Sequence, residues 1–150
     1  MNVELFDIYD APRMAEALAI RFAVFVEEQG VPPDEEIDEH DRDDGAARHA
    51  LVRANGGTAI AAGRFYARDS ATAQVGRMAV LPEWRGRGAG ALLLDALVAE
   101  AVRAGFARAR LNAQTHAAGF YHRAGFRRDG VELWDAGILH ELMSLDLQGR

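Results

Sequence analysis

The chain has 150 residues, of which about half are hydrophobic, and this suffices for one ordinary domain with a sizeable core. Its formal net charge of −6 argues against non-specific electrostatic binding to nucleic acid. No apolar run is long enough to span a bilayer. Cysteine is absent, which excludes disulfides and thiolate metal sites, and the first residues lack a signal-peptide pattern. We therefore expect one cytoplasmic domain over residues 1–150.

The first part of the chain predicts a strand, a helix and then a charged loop. Residues 3–9 alternate enough to form a strand, and Asp10 followed by Pro12 is typical of a helix start. Gly30 is a fitting end for that helix. Residues 31–45 contain two prolines and a cluster of acidic residues, so we expect an exposed loop. The helix is indicated by four apolar side chains at helical spacing, Met14, Leu18, Phe22 and Phe25.

Three strands are predicted next. Arg48 to Ala54 forms the first, and the turn Asn55-Gly56-Gly57 is a strong hairpin signal. Thr58 to Arg68 returns as the second strand. The third runs from Gln74 to Leu81, where Pro82 stops it.

The second half begins with a helix from Gly88 to Ala104, which Gly105 can cap. A short strand follows at residues 108–113, and Thr115 could cap another helix that reaches Ala124. A hairpin of residues 126–133 and 139–147 closes the chain. This order predicts an α/β fold, a mixed sheet layered with helices. The buried face of the first of these helices is predicted to comprise Leu92, Leu93, Ala96, Leu97 and Ala101.

A glycine-rich turn between a strand and a helix carries the chemistry. Its sequence is Arg85-Gly86-Arg87-Gly88-Ala89-Gly90. Glycine lets the backbone approach a ligand closely, and the first amides of a helix have no internal partner and carry partial positive charge. Arginine side chains in the turn can add charge near phosphate oxygens. These features together predict a pyrophosphate site.

Other glycine-rich sites fit this turn less well. A Walker A loop needs a Gly-Lys-Ser/Thr ending, which is missing. A dinucleotide fingerprint is matched by Gly86, Gly88 and Ala91, but that site needs an acidic residue after the next strand, where the chain has residues 111–114, Leu-Asn-Ala-Gln. A purely structural turn without a ligand stays open at this point.

The chain resembles the GCN5-related N-acetyltransferase (GNAT) superfamily. Its acyl-CoA motif, Gln/Arg-x-x-Gly-x-Gly/Ala, is matched by Arg85, Gly88 and Gly90, and the segment 118–126, AGFYHRAGF, is similar to the family's A-x-x-F-Y-x-x-x-G-F pattern. The resemblance spans nearly the whole chain, and two separate motifs in the right order make it specific. Segments at residues 21–29, 76–78, 113–116 and 136–140 resemble the ElaA/YjcF-like branch, which typically has proline where this chain has Leu139.

The resemblance implies a mixed, mostly antiparallel sheet that is splayed between two central strands and flanked by helices. It also implies acetyl-CoA as the co-substrate, a direct attack by an amine on the thioester in a ternary complex, and an oxyanion contact from a backbone amide near Val80. A homodimer is frequent in the superfamily. The cofactor-binding residues that it implies are Met78, Ala79, Val80, Arg85, Gly86, Arg87, Gly88, Ala89, Gly90, Asn112 and Tyr121.

Tyr121 is the candidate general acid for the departing thiolate, because a phenol titrates near pH 10. Packing in the core is its alternative role. Glu28, at the end of the first helix, is the candidate general base, although water could relay the proton instead. His116 and His140 are further candidates, since histidine can shuttle protons near neutral pH, with a structural role as the alternative for each. No pair of ligands at helical spacing indicates a metal site.

The acidic cluster suggests a preference of the acceptor site. If Glu28, Glu35, Glu36 and Asp38 line its mouth, they should favour cationic amines; otherwise they form a solvated face. A non-catalytic acyl-CoA-binding module is the alternative to an enzyme, and the presence of Tyr121 favours the enzyme.

Overall fold

A computed structural model describes all residues, 1–150, and contains one seven-stranded sheet in the order β1-β2-β3-β4-β5-β7-β6. Only β4 and β5 run parallel, and every other neighbouring pair is antiparallel. The predicted mixed, mostly antiparallel sheet is therefore confirmed. The strands are β1 (Asn2–Phe6), β2 (Arg48–Arg53), β3 (Ala59–Ala67), β4 (Thr72–Val80), β5 (Arg108–Gln114), β6 (Arg127–Asp135) and β7 (Ile138–Asp146).

Helices cover both faces of the sheet. On one face the longest helix, α4 (Ala89–Arg103), packs Leu93 and Leu97 into a core of 22 buried residues. On the other face, α1 (Ala11–Arg21) packs into a second core of eight residues. The remaining helices are short: α2 (Pro33–Glu36), α3 (Glu39–Arg42) and α5 (Ala118–Arg123).

Local sequence signals account for several boundaries. The Asp10 carboxylate accepts a hydrogen bond from the Arg13 amide, so it caps α1 as predicted. The hairpin of β6 and β7 turns through Ala136 and Gly137, whose φ values of +50° and +76° are those of a tight two-residue turn.

The parallel pair of strands comes apart halfway along its length. β4 and β5 are in register from Thr72 and Arg108 to Val75 and Leu111, and no pairing continues beyond that point. A bulge helps to turn β4 away, because Arg77 and Met78 together oppose Gly63 of β3 and Arg77 has a φ of +50°. The predicted splay between two central strands is thus present, and it opens a gap in the middle of the sheet.

The first helix departs from its predicted geometry. Regular α-helix ends at Arg21, and residues Phe22–Glu28 continue as a π-helix. Val24 is buried there, while Phe22 and Phe25 are only partly buried. π-Helical turns are rare and often lie at functional sites. This one leads directly to the mouth of the gap between β4 and β5.

The prediction of an exposed loop at residues 31–45 is wrong. The segment folds into α2 and α3, and it buries Glu36 and Asp41. Arg21, itself 1% exposed, lies 2.9 Å from the Glu36 carboxylate and 2.7 Å from that of Asp41. Burial raises the pKa of Asp41, but the hydrogen bond and charge of Arg21, with the charge of Arg64, outweigh it and hold that pKa below its usual range.

Two more arginines complete this buried ion-pair network. Arg64 on β3 lies 2.9 Å from Asp41 and 2.6 Å from Asp38, and Arg77 on β4 lies 3.1 Å from Glu36. Three cations and three carboxylates therefore neutralise one another. The network attaches the acidic segment to the sheet.

Two smaller predictions also fail. Leu92 is 36% exposed, and Leu94 and Val98 complete the buried face of α4 instead. Thr115 does not cap a helix with its side chain; it begins a short 3₁₀ turn that leads into α5.

Candidate active site

A cavity of about 780 Å³ occupies the gap between β4 and β5. The glycine-rich turn and the start of α4 line one part of it, and α5 and the β6–β7 hairpin line others. The π-helix and α2 contribute a further wall. One opening through the sheet therefore adjoins the predicted phosphate site, the end of the first helical segment and the second motif of the sequence.

The glycine-rich turn presents free backbone donors to this cavity. Gly86 and Gly88 have φ values of +75° and +89°, a conformation that side chains disfavour. Gly88 is the N-cap of α4, with no side chain bonded to the first turn of the helix and no acidic residue within that turn. The first amides of α4, including those of Ala89 and Gly90, are therefore available to an anion.

The two arginines of the turn are differently engaged. Arg85 makes a bidentate pair with Glu28, with both N–O distances 2.7 Å, and its Nε donates to the Val80 carbonyl at 3.0 Å. Arg87 lies over the Trp84 ring, 5.0 Å from its centre, and forms no ion pair. In this structure the guanidinium of Arg87, rather than that of Arg85, is the one not already occupied by a carboxylate.

Tyr121 lies where α5 meets the cavity. Its ring makes edge contacts with Phe120 and Phe126, with centroid distances of 5.0 and 6.1 Å. Burial raises the pKa of Tyr121 to about 12, and no hydrogen bond or neighbouring charge contributes to that shift. The phenol accordingly keeps its proton at neutral pH and has that proton to donate.

Comparison with known proteins decides the family. Residues 21–147 match the profile of the acetyltransferase (GNAT) domain. The N-acetyltransferase YjcF of Bacillus subtilis, itself uncharacterized, is 36% identical over 135 residues, which cover 89% of this chain and 93% of YjcF. The chain belongs to the GNAT superfamily. Within it, these similarities place the chain in the ElaA/YjcF-like branch, as the sequence motifs indicate.

Solved structures support the fold of this GNAT domain. Escherichia coli ElaA superposes with a TM-score of 0.83 at 23% identity, over 97% of this chain and all of ElaA. An aminoglycoside 6′-N-acetyltransferase complexed with coenzyme A superposes with a TM-score of 0.78 at 12% identity, over 100% and 99% of the two chains. These structures show the acyl-CoA N-acyltransferase fold, and the family match and the YjcF relative make the chain an acyltransferase.

Glu28 lines the cavity of the GNAT domain, but its carboxylate is held by Arg85. The hydrogen bond from Arg85 and its charge lower the pKa of Glu28. A carboxylate in this state is a weak proton acceptor, so Glu28 can act as a base only after Arg85 moves away. His116 and Asn112 also line the cavity, and both are exposed.

The predicted acidic mouth needs correction. Glu36 is buried between Arg21 and Arg77, and Asp38 is paired with Arg64 and does not line the cavity. The cavity retains two exposed carboxylates without an arginine partner, those of Glu35 and Asp135. The negative charge of the mouth is thus smaller than the sequence predicts and comes partly from the β6–β7 hairpin.

Three glutamines of the cavity wall were missed by the sequence analysis. Gln114 donates to Gln29 at 2.8 Å and so joins β5 to the segment after the π-helix. The Oε1 atom of Gln74 is buried without a hydrogen-bond partner. For Gln74 on β4 and Gln114 on β5 the strand alternation was the available signal, because alternate strand residues face the same side of a sheet. Gln29, after the π-helix, offered no such signal.

Proposed function

We propose that the chain transfers an acetyl group from acetyl-CoA to an amine of a small molecule or protein, by direct attack within a ternary complex. The observation that carries this proposal is the cavity itself. It adjoins both the free amides of α4, which suit a pyrophosphate, and the Tyr121 phenol, which suits a departing thiolate. The lack of cysteine supports action in the reducing cytoplasm.

The backbone of β4 supports an oxyanion contact. The Leu81 amide donates to the Ile60 carbonyl of β3, so the neighbouring Val80 amide points to the opposite side, into the gap left by β5. The Val80 carbonyl shows the same direction, since it accepts from Arg85. The Val80 amide can therefore donate to the thioester oxygen, which becomes the oxyanion of the tetrahedral intermediate.

Steady-state kinetics test the order of events. Initial rates are measured over a range of acetyl-CoA concentrations at several fixed amine concentrations. A ternary complex then gives double-reciprocal plots whose lines intersect. Parallel lines would indicate an acyl-enzyme and would contradict direct attack.

Tyr121→Phe is expected to lower kcat at least about tenfold. The variant keeps the ring and its contacts with Phe120 and Phe126 but removes the donor, and general acid catalysis typically contributes about 10²–10⁴-fold. Water can substitute in part. The affinity for acetyl-CoA should stay nearly unchanged. A donor with a more acidic leaving thiol needs less protonation, so the defect should shrink with it.

Two results would contradict the assignment of Tyr121 as the general acid. The first is wild-type kcat in the variant under conditions where chemistry limits the rate. The second is loss of acetyl-CoA binding, which would make Tyr121 a packing or binding residue and leave His116 as the next candidate.

A cationic acceptor is supported by Glu35 and Asp135, the two unpaired carboxylates of the cavity. Because each exposed ion pair contributes about 0.2–1 kcal/mol, the double variant Glu35→Gln, Asp135→Asn should raise KM for a cationic amine about 2–30-fold. Added salt should weaken acceptor binding in the wild type. Asp34→Asn, an exposed change outside the cavity, is the control. An unchanged KM and a flat salt series would contradict the preference.

A further inference from the structure

His140 is a buried histidine on the wall of the active-site cavity. It lies on β7, opposite Gln114 of β5 and Leu133 of β6, and it is 9% exposed. Its strand position places it on the same side of the sheet as Gln114, the side facing the π-helix segment, to which Gln114 is bonded. The ring is therefore on the π-helix side of the gap, across the sheet from the face that α4 covers.

The hydrogen bond of the ring fixes the position of its proton. The Nδ1 atom lies 2.8 Å from the Ile138 carbonyl oxygen. A carbonyl oxygen only accepts hydrogen bonds, so Nδ1 must carry the hydrogen. In the neutral ring the lone pair is then on Nε2, which makes no hydrogen bond to another protein group. Such a histidine can take up a proton without any change in its anchoring bond.

The other candidate bases of the cavity are less suited to this task. Glu28 is held by two hydrogen bonds from Arg85, and its pKa is lowered by that arginine. Glu36 is locked between Arg21 and Arg77. His116 is exposed and has no hydrogen bond that orients its ring.

We propose that His140 is the general base of the acyl transfer. Nε2 removes one proton from the acceptor ammonium, and the nitrogen lone pair thus freed attacks the thioester carbonyl. The new C–N bond forms, the C–S bond breaks as the tetrahedral intermediate collapses, and the thiolate takes a proton from Tyr121. The second proton on nitrogen passes to water. This role rests on the proposed N-acyltransferase function.

The electrostatic surroundings of the ring are mixed. The register partners on both neighbouring strands, Gln114 and Leu133, are uncharged. Asp135 of the hairpin and Glu35 of α2 line the same cavity and are exposed. The remaining titratable groups of the lining are two ion pairs, Glu28 with Arg85 and Glu36 with Arg77. The others are the side chains of Arg64, Tyr66, His116 and Tyr121.

His140→Asn tests the base role most directly. The asparagine amide can still donate to the Ile138 carbonyl, whereas the proton-accepting Nε2 atom is lost. With an alkylamine that is protonated at the assay pH, kcat/KM should fall about 10²–10⁴-fold. With a weakly basic amine that is already neutral, the loss should be less than about tenfold, since no proton has to be removed before attack. The acidic limb of the wild-type pH profile should disappear from the variant. His122→Asn, which changes an exposed histidine outside the cavity, should match the wild type.

The results of these assays distinguish failure of the base role of His140 from failure of the proposed N-acyltransferase function. A wild-type enzyme that acetylates amines while His140→Asn keeps its kcat/KM, or loses it equally with both amines, overturns the base role alone. A wild-type protein that acetylates no amine overturns the proposed function. Nitrogen NMR of labelled histidine reads the tautomer without turnover: the Nδ1–H form is expected, and the Nε2–H form would contradict the proposal.

Discussion

Gly88→Val should abolish the thermal stabilisation that acetyl-CoA and CoA give to the wild-type protein. Gly88 caps α4 with a φ of +89°, and no atom lies within 4 Å of the position that a Cβ would take. In the proposed cofactor site the pyrophosphate approaches the amides of α4 through that open space, so a branched side chain would fill it. Ligand at 100 times its Kd stabilises the native state by about 2.7 kcal/mol, which raises Tm by roughly 5–11 °C for a chain of this size.

Gly105 provides a matched control at the other end of α4. Its φ is also +89° and its Cβ would also meet nothing within 4 Å, so Gly105→Val introduces the same backbone strain away from the cavity. Both variants should lose basal stability, whereas only Gly88→Val should lose the response to CoA. A full CoA response in Gly88→Val, or equal stabilisation of the wild type by NAD, would contradict the phosphate-site assignment.

Arg21→Met is expected to lower the free energy of unfolding by about 3–5 kcal/mol, because removing one partner leaves buried charges uncompensated. Arg21 is buried and bonds both Glu36 and Asp41, which are buried as well. Urea denaturation of the variant and the wild type measures the difference. Arg42→Met on α3 removes an exposed arginine without an ion pair and should change the free energy by less than about 0.5 kcal/mol.

The contribution of Asp41 to the pH dependence of stability has a defined sign. The folded-state pKa of Asp41 lies below its unfolded value of about 3.9, so the unfolded chain binds the proton more tightly. The contribution of Asp41 to stability is therefore complete above about pH 4 and is lost as the pH falls further.

For Arg21→Met, a loss of less than about 1 kcal/mol in the free energy of unfolding would show that the ion-pair network contributes little to stability.

The sequence predicted those parts of the fold that depend on neighbouring residues. The cap at Asp10 and the Gly88 turn are local signals, and both are present. The acidic segment was misread because the arginines that neutralise it lie elsewhere in the chain. Arg21 precedes the segment, while Arg64 and Arg77 belong to strands that follow it. Only the tertiary fold brings these charges together.

The candidate active site likewise combines features that local sequence predicts with features that depend on the tertiary fold. The motif around the glycine turn and the segment containing Tyr121 were recognisable from sequence, and the structure brings both to one cavity. Sequence could not show that Arg85 holds Glu28, since the pair joins residues 57 positions apart. Nor could it distinguish His140 from His116, because only the structure shows which imidazole is buried and anchored.

Acetyl transfer from acetyl-CoA to an amine by this chain can be tested in a single assay. Purified protein is mixed with acetyl-CoA and a broad panel of amines, and mass spectrometry follows free CoA, acetylated amine and the protein itself. We expect one acetylated amine for each CoA released, a protein that never carries the acetyl group, and a reaction that is lost in Gly88→Val. A protein that binds acetyl-CoA but acetylates no amine would instead be a non-catalytic acyl-CoA-binding module, and the proposed transfer reaction would be wrong.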